Sequence, residues 1–348
     1  MSVVTYKCPN CDGELKFDPE SQKFACEYCM SSFTEAEVKA LAPAAEEERA
    51  AAPAEGQTES GAVYYTCPSC GAEIVTDETT AATFCFYCHN PVVLSGRLDG
   101  AYTPQKLIPF AFDKEEAKKR FLAWTKKKWF VPKAFFNADQ IEKLTGVYFP
   151  HWLVDCDIQG HLEAKAEKVR VWRSGDTEYT ETSHYNLIRV ANIHFEDVVK
   201  TALKKADREL VESVQPYDSS NLIPFNMAYL SGFQAEKRDL ERADLQQEIS
   251  QEVQGYSESL LRGTMNGYGS ISPLVRDFRM MHENWDYTLL PVWTLTYKGS
   301  NGKLYYYALN GQSGNVYGRL PISYGKLFAA AGIITALVFL LFLLGGLL

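Results

Sequence analysis

Apolar positions along this chain change their period several times, and each change predicts an element. Residues 147–173 and 178–195 carry runs of Val, Trp, Tyr and Ile that read as strands, separated by the turn residues Ser174-Gly175-Asp176. Residues 291–318 read as a β-meander with turns at Asn301-Gly302 and Asn310–Gly314. Three stretches switch to a helical period. Asp113-Lys114-Glu115-Glu116 has capping-box spacing and opens a helix with Ala117, Phe121 and Trp124 on one stripe, stopped by Pro132. A second helix is expected over 195–213, beginning around Glu196 and Asp197. A third is expected over 234–262, with Leu245, Ile249, Val253, Tyr256 and Leu260 at helical spacing. Core packing, not a partner-binding face, is the plainer reading of that last stripe.

The final 22 residues, Leu327 to Leu348, contain no charge. At 1.5 Å per residue they reach about 33 Å, enough for a hydrocarbon core of roughly 30 Å. A buried core helix is the alternative, but such helices seldom stay apolar on every face. Arg319 and Lys326 flank the N-terminal side of this segment, so the positive-inside rule puts the main body in the cytoplasm. A single-pass inner-membrane protein, tail-anchored and with its N-terminal bulk cytoplasmic, is therefore expected. No charged-then-apolar leader precedes the first cysteines.

Eight of nine cysteines fall in four C-x-x-C pairs. Cys8 and Cys11 lead, after a gap of 14 residues, to Cys26 and Cys29; Cys67 and Cys70 lead, after the same gap, to Cys85 and Cys88. The two copies are offset by 59 residues, a regularity that identifies an internal repeat. Pairs three residues apart are poor disulfide staples and good metal jaws. Each copy predicts a four-cysteine site for Zn2+, two ions in all, with iron as the rival metal. Four protein ligands leave no open position, which marks a structural site and not a catalytic one. Free thiolates also imply a reducing compartment. His89 follows Cys88 and is a spare ligand that a set of four cysteines does not need.

The predicted organisation is zinc ribbon 1 at 1–34, an Ala/Glu-rich linker at 35–62, zinc ribbon 2 at 63–96, an α+β cytoplasmic domain at 97–323 and a transmembrane anchor at 324–348. The fold class is thus small, all-β, metal-stapled ribbons plus an α+β domain and one C-terminal transmembrane helix. Leu107-Ile108-Pro109-Phe110 recurs as Leu222-Ile223-Pro224-Phe225, and Phe149-Pro150-His151-Trp152 recurs in outline as Leu290-Pro291-Val292-Trp293. Internal duplication and coincidence both remain open for the α+β domain.

Charge narrows the function. A net charge of −9 argues against a protein that coats nucleic acid. Residues 62–96 hold no Lys or Arg, and the first ribbon sets Lys7, Lys16 and Lys23 against five acidic residues between Asp12 and Glu27. The ribbons therefore suit protein partners better than phosphates. Lys126-Lys127-Lys128 between Trp124 and Trp129 is the one basic–aromatic cluster; a solvated helix end is its plainer reading, contact with anionic headgroups the sharper one. The histidines form no H-E-x-x-H motif, and no Ser or Cys sits in a nucleophile elbow. Cys156, between Asp155 and Asp157, reads as inert. No catalytic residue is expected.

The paired knuckles, Leu222–Asn226 followed by Tyr229-Leu230-Ser231-Gly232-Phe233, Leu290–Trp293 with Asn310–Gly314, and Leu320-Pro321-Ile322-Ser323 resemble a bacterial family of TFIIB-type zinc-ribbon-containing membrane proteins. Some similar proteins are encoded beside phage-shock-protein-A-like and SPFH-domain proteins and help recruit the latter to the membrane. The resemblance implies a non-enzymatic scaffold in membrane stress with such protein partners. A membrane-bound redox or zinc sensor is the rival reading, and a nucleic-acid-binding ribbon protein a weaker one.

Overall fold

The long strands predicted beyond residue 145 form, and they run further than the apolar pattern alone suggests. In the computed structural model residues 3–40, 63–67, 69–85, 87–132, 135, 137–206, 208–299 and 302–345 are described. Most of the Ala/Glu-rich linker (residues 41–62) lies outside them. The chain divides into two units. The first comprises Met1–His151, Leu203–Asp239 and Thr288–Leu348, and the second Trp152–Ala202 and Leu240–Tyr287.

The first unit is built on a mixed sheet. Its strands in spatial order are β1 (Val3–Val4), β8 (Pro91–Leu94), β7 (Thr80–Phe84), β13 (Gln234–Glu236), the first part of β10 (Thr145–Ser174), the last part of β14 (Ser270–Lys298), β15 (Leu304–Asn310) and β16 (Val316–Gly318). The meander of β14, β15 and β16 is the one the turn residues predict, antiparallel with Val292 opposite Asn310 and Lys298 opposite Leu304. The two Leu-Ile-Pro-Phe copies form the short strands β9 (Lys106–Leu107) and β12 (Ile223–Pro224), which pair with each other, Leu107 opposite Ile223. An aromatic knot holds this region. Phe110 stacks on Phe233 at 4.2 Å, and Tyr148 and Trp293 meet it edge-on, each at 5.0 Å. Gly311 lets the Asn310–Gly314 turn close over Phe110, since a Cβ there would lie 2.6 Å from the ring. Asn310, fully buried, ties the same turn down by donating to the Val214 carbonyl (3.0 Å) and accepting from the Gln312 and Ser313 amides. Both the glycine and these bonds serve packing.

Residues 35–40 are helical (α1), with Thr34 and Glu37 exchanging hydrogen bonds at its start. The next helix, α2 (Lys114–Lys126), begins as expected: the Asp113 carboxylate caps it by accepting from the Glu116 amide at 2.8 Å. It buries Ala117, Phe121 and Thr125, while Trp124 packs on Tyr307. Short helices follow at Ala138–Ile141 (α3) and Arg208–Glu212 (α4). Of the helix expected over 195–213, residues 195–201 are strand and Arg208–Glu212 is helical. β11 (Thr177–Thr201) continues through β-branched Val198 and Val199, and Asp197 adopts a left-handed conformation whose N–H donates to the Asp155 carboxylate at 2.9 Å.

In the second unit β11 pairs with β10, and helix α5 (Arg242–Gly263) packs on β11. The helix starts later than expected because residues 234–236 are taken by β13. Its buried stripe is Leu245, Ile249, Val253, Ser257 and Leu261, whereas Tyr256 and Leu260 are exposed. A serine is tolerated there because its hydroxyl donates to the Val253 carbonyl at 2.7 Å. Leu162, Ala164, Ala166, Leu187 and Met265 complete this core.

The last helix, α6 (Tyr324–Gly345), is long and apolar enough to cross a membrane. The span Tyr324–Phe342 has a mean hydropathy of 2.1, and none of it is buried by the rest of the protein. A core helix would be covered; this one is bare.

Candidate metal centres

Each C-x-x-C pair closes a knuckle, and all four share one backbone form. The amide of the residue after the second cysteine donates back to the first cysteine's carbonyl: Asp12 to Cys8, Met30 to Cys26, Gly71 to Cys67 and His89 to Cys85, at 2.8–2.9 Å. A second bond runs from the first cysteine's amide to the carbonyl of Gly13, Ser31, Ala72 or Asn90. To make this turn the residue after the second cysteine must enter the left-handed region, and all four do, with φ of 62° at Asp12, 59° at Met30, 74° at Gly71 and 58° at His89. Turns of this kind gather amides around the sulfurs, which suits a negatively charged thiolate set. Gly13 is required for a different reason: a Cβ there would sit 2.5 Å from the Tyr28 ring and 3.2 Å from the Cys26 sulfur.

The hairpins bring the eight cysteines together as two sets of four. Cys8, Cys11, Cys26 and Cys29 form one, and Cys67, Cys70, Cys85 and Cys88 the other, with the four Sγ atoms of each set within 4.8 Å of one another. Sulfurs 2.3 Å from a tetrahedral ion stand about 3.8 Å apart. Cys8 and Cys29 are 3.5 Å apart, as are Cys11 and Cys26; Cys67 and Cys88 are 3.7 Å apart, as are Cys70 and Cys85. Both sets are therefore able to chelate a metal ion. All eight thiols are free of disulfides.

The thiols within each set differ in how readily they give up a proton. A hydrogen bond with Ser31 brings the Cys29 thiol down to about 6. The Gly13 amide works against it, but hydrogen bonding with Cys29 and Cys26 pushes Cys11 up to about 12. Burial and hydrogen bonds with Cys70 push Cys88 up to about 12 as well. A divalent ion held by four thiolates would displace the thiol protons, so binding would release protons. Cys156 is apart from both sets: burial and the neighbouring Asp155 and Asp157 push it up to about 11.

The two sets are mounted differently in the first unit. The first rests on a three-stranded sheet of β2 (Leu15–Asp18), β3 (Lys23–Cys26) and β4 (Ser32–Phe33). This sheet docks on the segment Asn226–Phe233. Phe17 and Phe24 pack on Tyr229 at 4.8 and 5.4 Å, the Ser231 hydroxyl donates to the Leu15 carbonyl at 2.5 Å, and the Tyr229 hydroxyl donates to Glu35 at 3.0 Å. The second set begins on the hairpin β5 (Val63–Thr66) and β6 (Glu73–Thr76), and its other knuckle joins β7 to β8 inside the main sheet. Tyr65, Val92 and Leu94 pack directly against Cys67 and Cys85. Glu14 bridges the two ribbons, accepting from the Ser69 hydroxyl and, at 2.8 Å, from the Asn90 amide. Burial holds the Glu14 carboxyl above its ordinary range.

A cleft of about 480 Å³ opens beside this bridge, lined by Lys7, Asp12, Glu14, Tyr28, Ser69 and Asn90 among others. Tyr28, Met30 and Tyr87 stand exposed on the knuckles. The cysteine spacing identifies all eight members of the two sets but none of these flanking residues. Their signal lies in the repeat itself, which places Tyr before the last cysteine of each copy. Lys126, Lys127 and Lys128 lie at the end of α2, all exposed, with the Lys128 ammonium 5.6 Å from the Trp124 ring.

A protein of Bacillus subtilis (strain 168), "Uncharacterized protein YdjG", is 32% identical over 354 residues, covering 99% of this chain and 99% of its own. No family model matches the chain, and no solved structure matches it.

Proposed function

The chain belongs to the family of Bacillus subtilis YdjG, and from that premise we propose that it is a non-enzymatic scaffold that recruits cytoplasmic proteins to a bacterial membrane. α6 is its anchor, with the main body on the cytoplasmic side, as Lys126–Lys128 and Lys326 near the helix entrance favour. The two four-cysteine sets hold zinc as structural ions. SPFH-domain or phage-shock-A-like proteins are the partners this reading expects, in a membrane-stress response.

The observation that carries the proposal is the form of the metal sets. Each offers four thiolates to one ion and keeps no position for water or substrate, so an ion there supplies folding energy and rigidity. What the rigid knuckles offer outward is protein-binding surface: Tyr28, Met30 and Tyr87, exposed at 72%, 84% and 73%, near the cleft that Asp12 and Glu14 line. Aromatic side chains and Met are the residue types enriched at protein interfaces.

A deletion of both ribbons would not test this, because β7 and β8 belong to the main sheet and Phe17 and Phe24 pack on Tyr229. The clean variant is Tyr28→Ala with Tyr87→Ala, which removes surface and no ligand. Proteins co-purifying with the full chain from solubilised membranes should lose at least one stoichiometric partner in this variant while two zinc ions per chain are retained. An unchanged set of partners would contradict the proposal.

A further inference from the structure

We propose that the loop Lys126–Phe130 is a second membrane contact, lying on anionic phospholipid headgroups beside the entrance of α6. The inference rests on α6 being a membrane anchor. Its own evidence is the way the loop is tied to that helix. The Ser323 amide, just ahead of α6, donates to the Phe130 carbonyl at 2.7 Å, and the Lys326 ammonium donates to the Val131 carbonyl at 2.8 Å. The uncharged segment begins at Leu327, one residue further on. Ser323 and Lys326 are separated by about 4.5 Å along a helix axis. These bonds therefore fix the loop at the depth where a spanning helix passes through the headgroups.

The loop's side chains suit that depth. Thr125 and Val131 are buried and hold its two ends, while the five residues between them are all exposed. Three of these are lysines, and the fourth is Trp129, 81% exposed. The described residues of the first unit leave this tryptophan uncovered on a loop that is pinned at both ends. At the interface its ring sits among headgroups and upper acyl carbons, the environment in which Trp is enriched. Phe130 and Tyr324 are exposed close by and extend the same aromatic collar. The charge pattern points to anionic lipid. The chain as a whole carries −9, so an anionic bilayer repels the bulk, and Lys126, Lys127, Lys128 and Lys326 reverse the sign where the chain enters the membrane. Arg319 does not add to this patch, since it pairs with Glu209. The solvated helix end that the sequence suggests explains the lysines but leaves Trp129 and the two bonds to α6 without a purpose.

The loop thus sets the orientation of the first unit above the bilayer, in addition to the tether that α6 supplies. The test uses the full chain reconstituted in vesicles of phosphatidylcholine alone or mixed with phosphatidylglycerol. Emission from Trp129 is obtained as the difference between the wild type and Trp129→Phe, a conservative change at an exposed position. With phospholipid brominated near the top of its acyl chains, Trp129 emission should be lost, and more completely when phosphatidylglycerol is present. In Lys126→Gln/Lys127→Gln/Lys128→Gln the extra loss with phosphatidylglycerol should vanish. Trp129 emission that ignores brominated lipid, or a loss that is equal in both lipids and in the triple variant, overturns the proposal. An alkaline wash separates this from failure of the anchor: protein that stays in the vesicles has an inserted α6, and protein that is released overturns both readings.

Discussion

At the scale of single residues the knuckles depend on a backbone conformation as much as on sulfur. Four residues of different chemistry, Asp12, Met30, Gly71 and His89, occupy the same left-handed position. Three of them carry the strain that L-residues meet there, and Gly71 does not. A Cβ at Gly71 would meet nothing within 4 Å, so Gly71→Val acts through conformation alone and should cost about 1–2 kcal/mol. Met30→Gly should relieve strain in the opposite sense, less the entropy a glycine adds to the unfolded chain. Denaturant unfolding of the zinc-loaded protein in detergent reads both signs. His151 gives a second prediction. It is fully buried, its Nδ1 meets the Phe149 carbonyl at 2.9 Å, and burial lowers its pKa from 6.5 to about 4. Between those two values the unfolded chain binds a proton that the folded chain refuses. Stability contributed by the neutral ring is therefore complete above 6.5 and is lost as pH falls towards 4, at a slope of up to about 1.4 kcal/mol per pH unit. His151→Phe should flatten the acid limb of stability against pH by that amount; an unchanged limb would show that the ring titrates freely.

At the scale of elements the first ribbon is a docked part. Its sheet contributes Phe17 and Phe24 to a shared aromatic cluster with Tyr229 and Phe233. Tyr229→Ala removes a side chain that is 7% exposed and should destabilise the protein by about 3 kcal/mol, with faster hydrogen exchange in β2 and β3 as the local signature. Exchange confined to residues around 229 would mean that the ribbon holds without its dock. Much of this level is legible in the sequence. The Asp113 cap, the long β10–β11 hairpin and the β14–β16 meander follow from local chemistry and period-two alternation, which the chain expresses plainly. The helix expected over 195–213 is confined to Arg208–Glu212, because Glu196-Asp197 imitates a helix start while the bond that holds it in β11, from the Asp197 amide to Asp155, comes from 42 residues away. The buried stripe of α5 runs through Ser257 and Leu261 because a serine that bonds its own helix packs like a small apolar residue, which a count of apolar positions misses.

At the scale of the whole molecule, the cysteine spacing reveals both metal sets but not their mounting. Ligand spacing is a local property, whereas the insertion of β7 and β8 into the main sheet depends on β13, far later in the chain, and on β1. The Asn226–Phe233 motif is visible as a motif, and only the fold supplies its partner. Glu14 joins the two ribbons, one docked on Asn226–Phe233 and the other partly built into the main sheet, so both metal sets are part of the architecture of the first unit. Mass spectrometry of the intact protein should find two zinc ions per chain. Cys26→Ser should leave one ion and loosen β2–β4, whereas Cys85→Ser should also loosen β7 and β8. Acidification should release the ions, because protons compete for the thiolates.

In the proposed function, the zinc-stiffened knuckles of an anchored scaffold hold a partner at the membrane. The direct measurement is the membrane-bound fraction of a co-purifying cytoplasmic partner, compared in cells carrying the wild type and the Tyr28→Ala/Tyr87→Ala variant at equal levels in the membrane and with equal zinc content. In the variant the partner should move to the soluble fraction. A partner that stays at the membrane would contradict the proposed function.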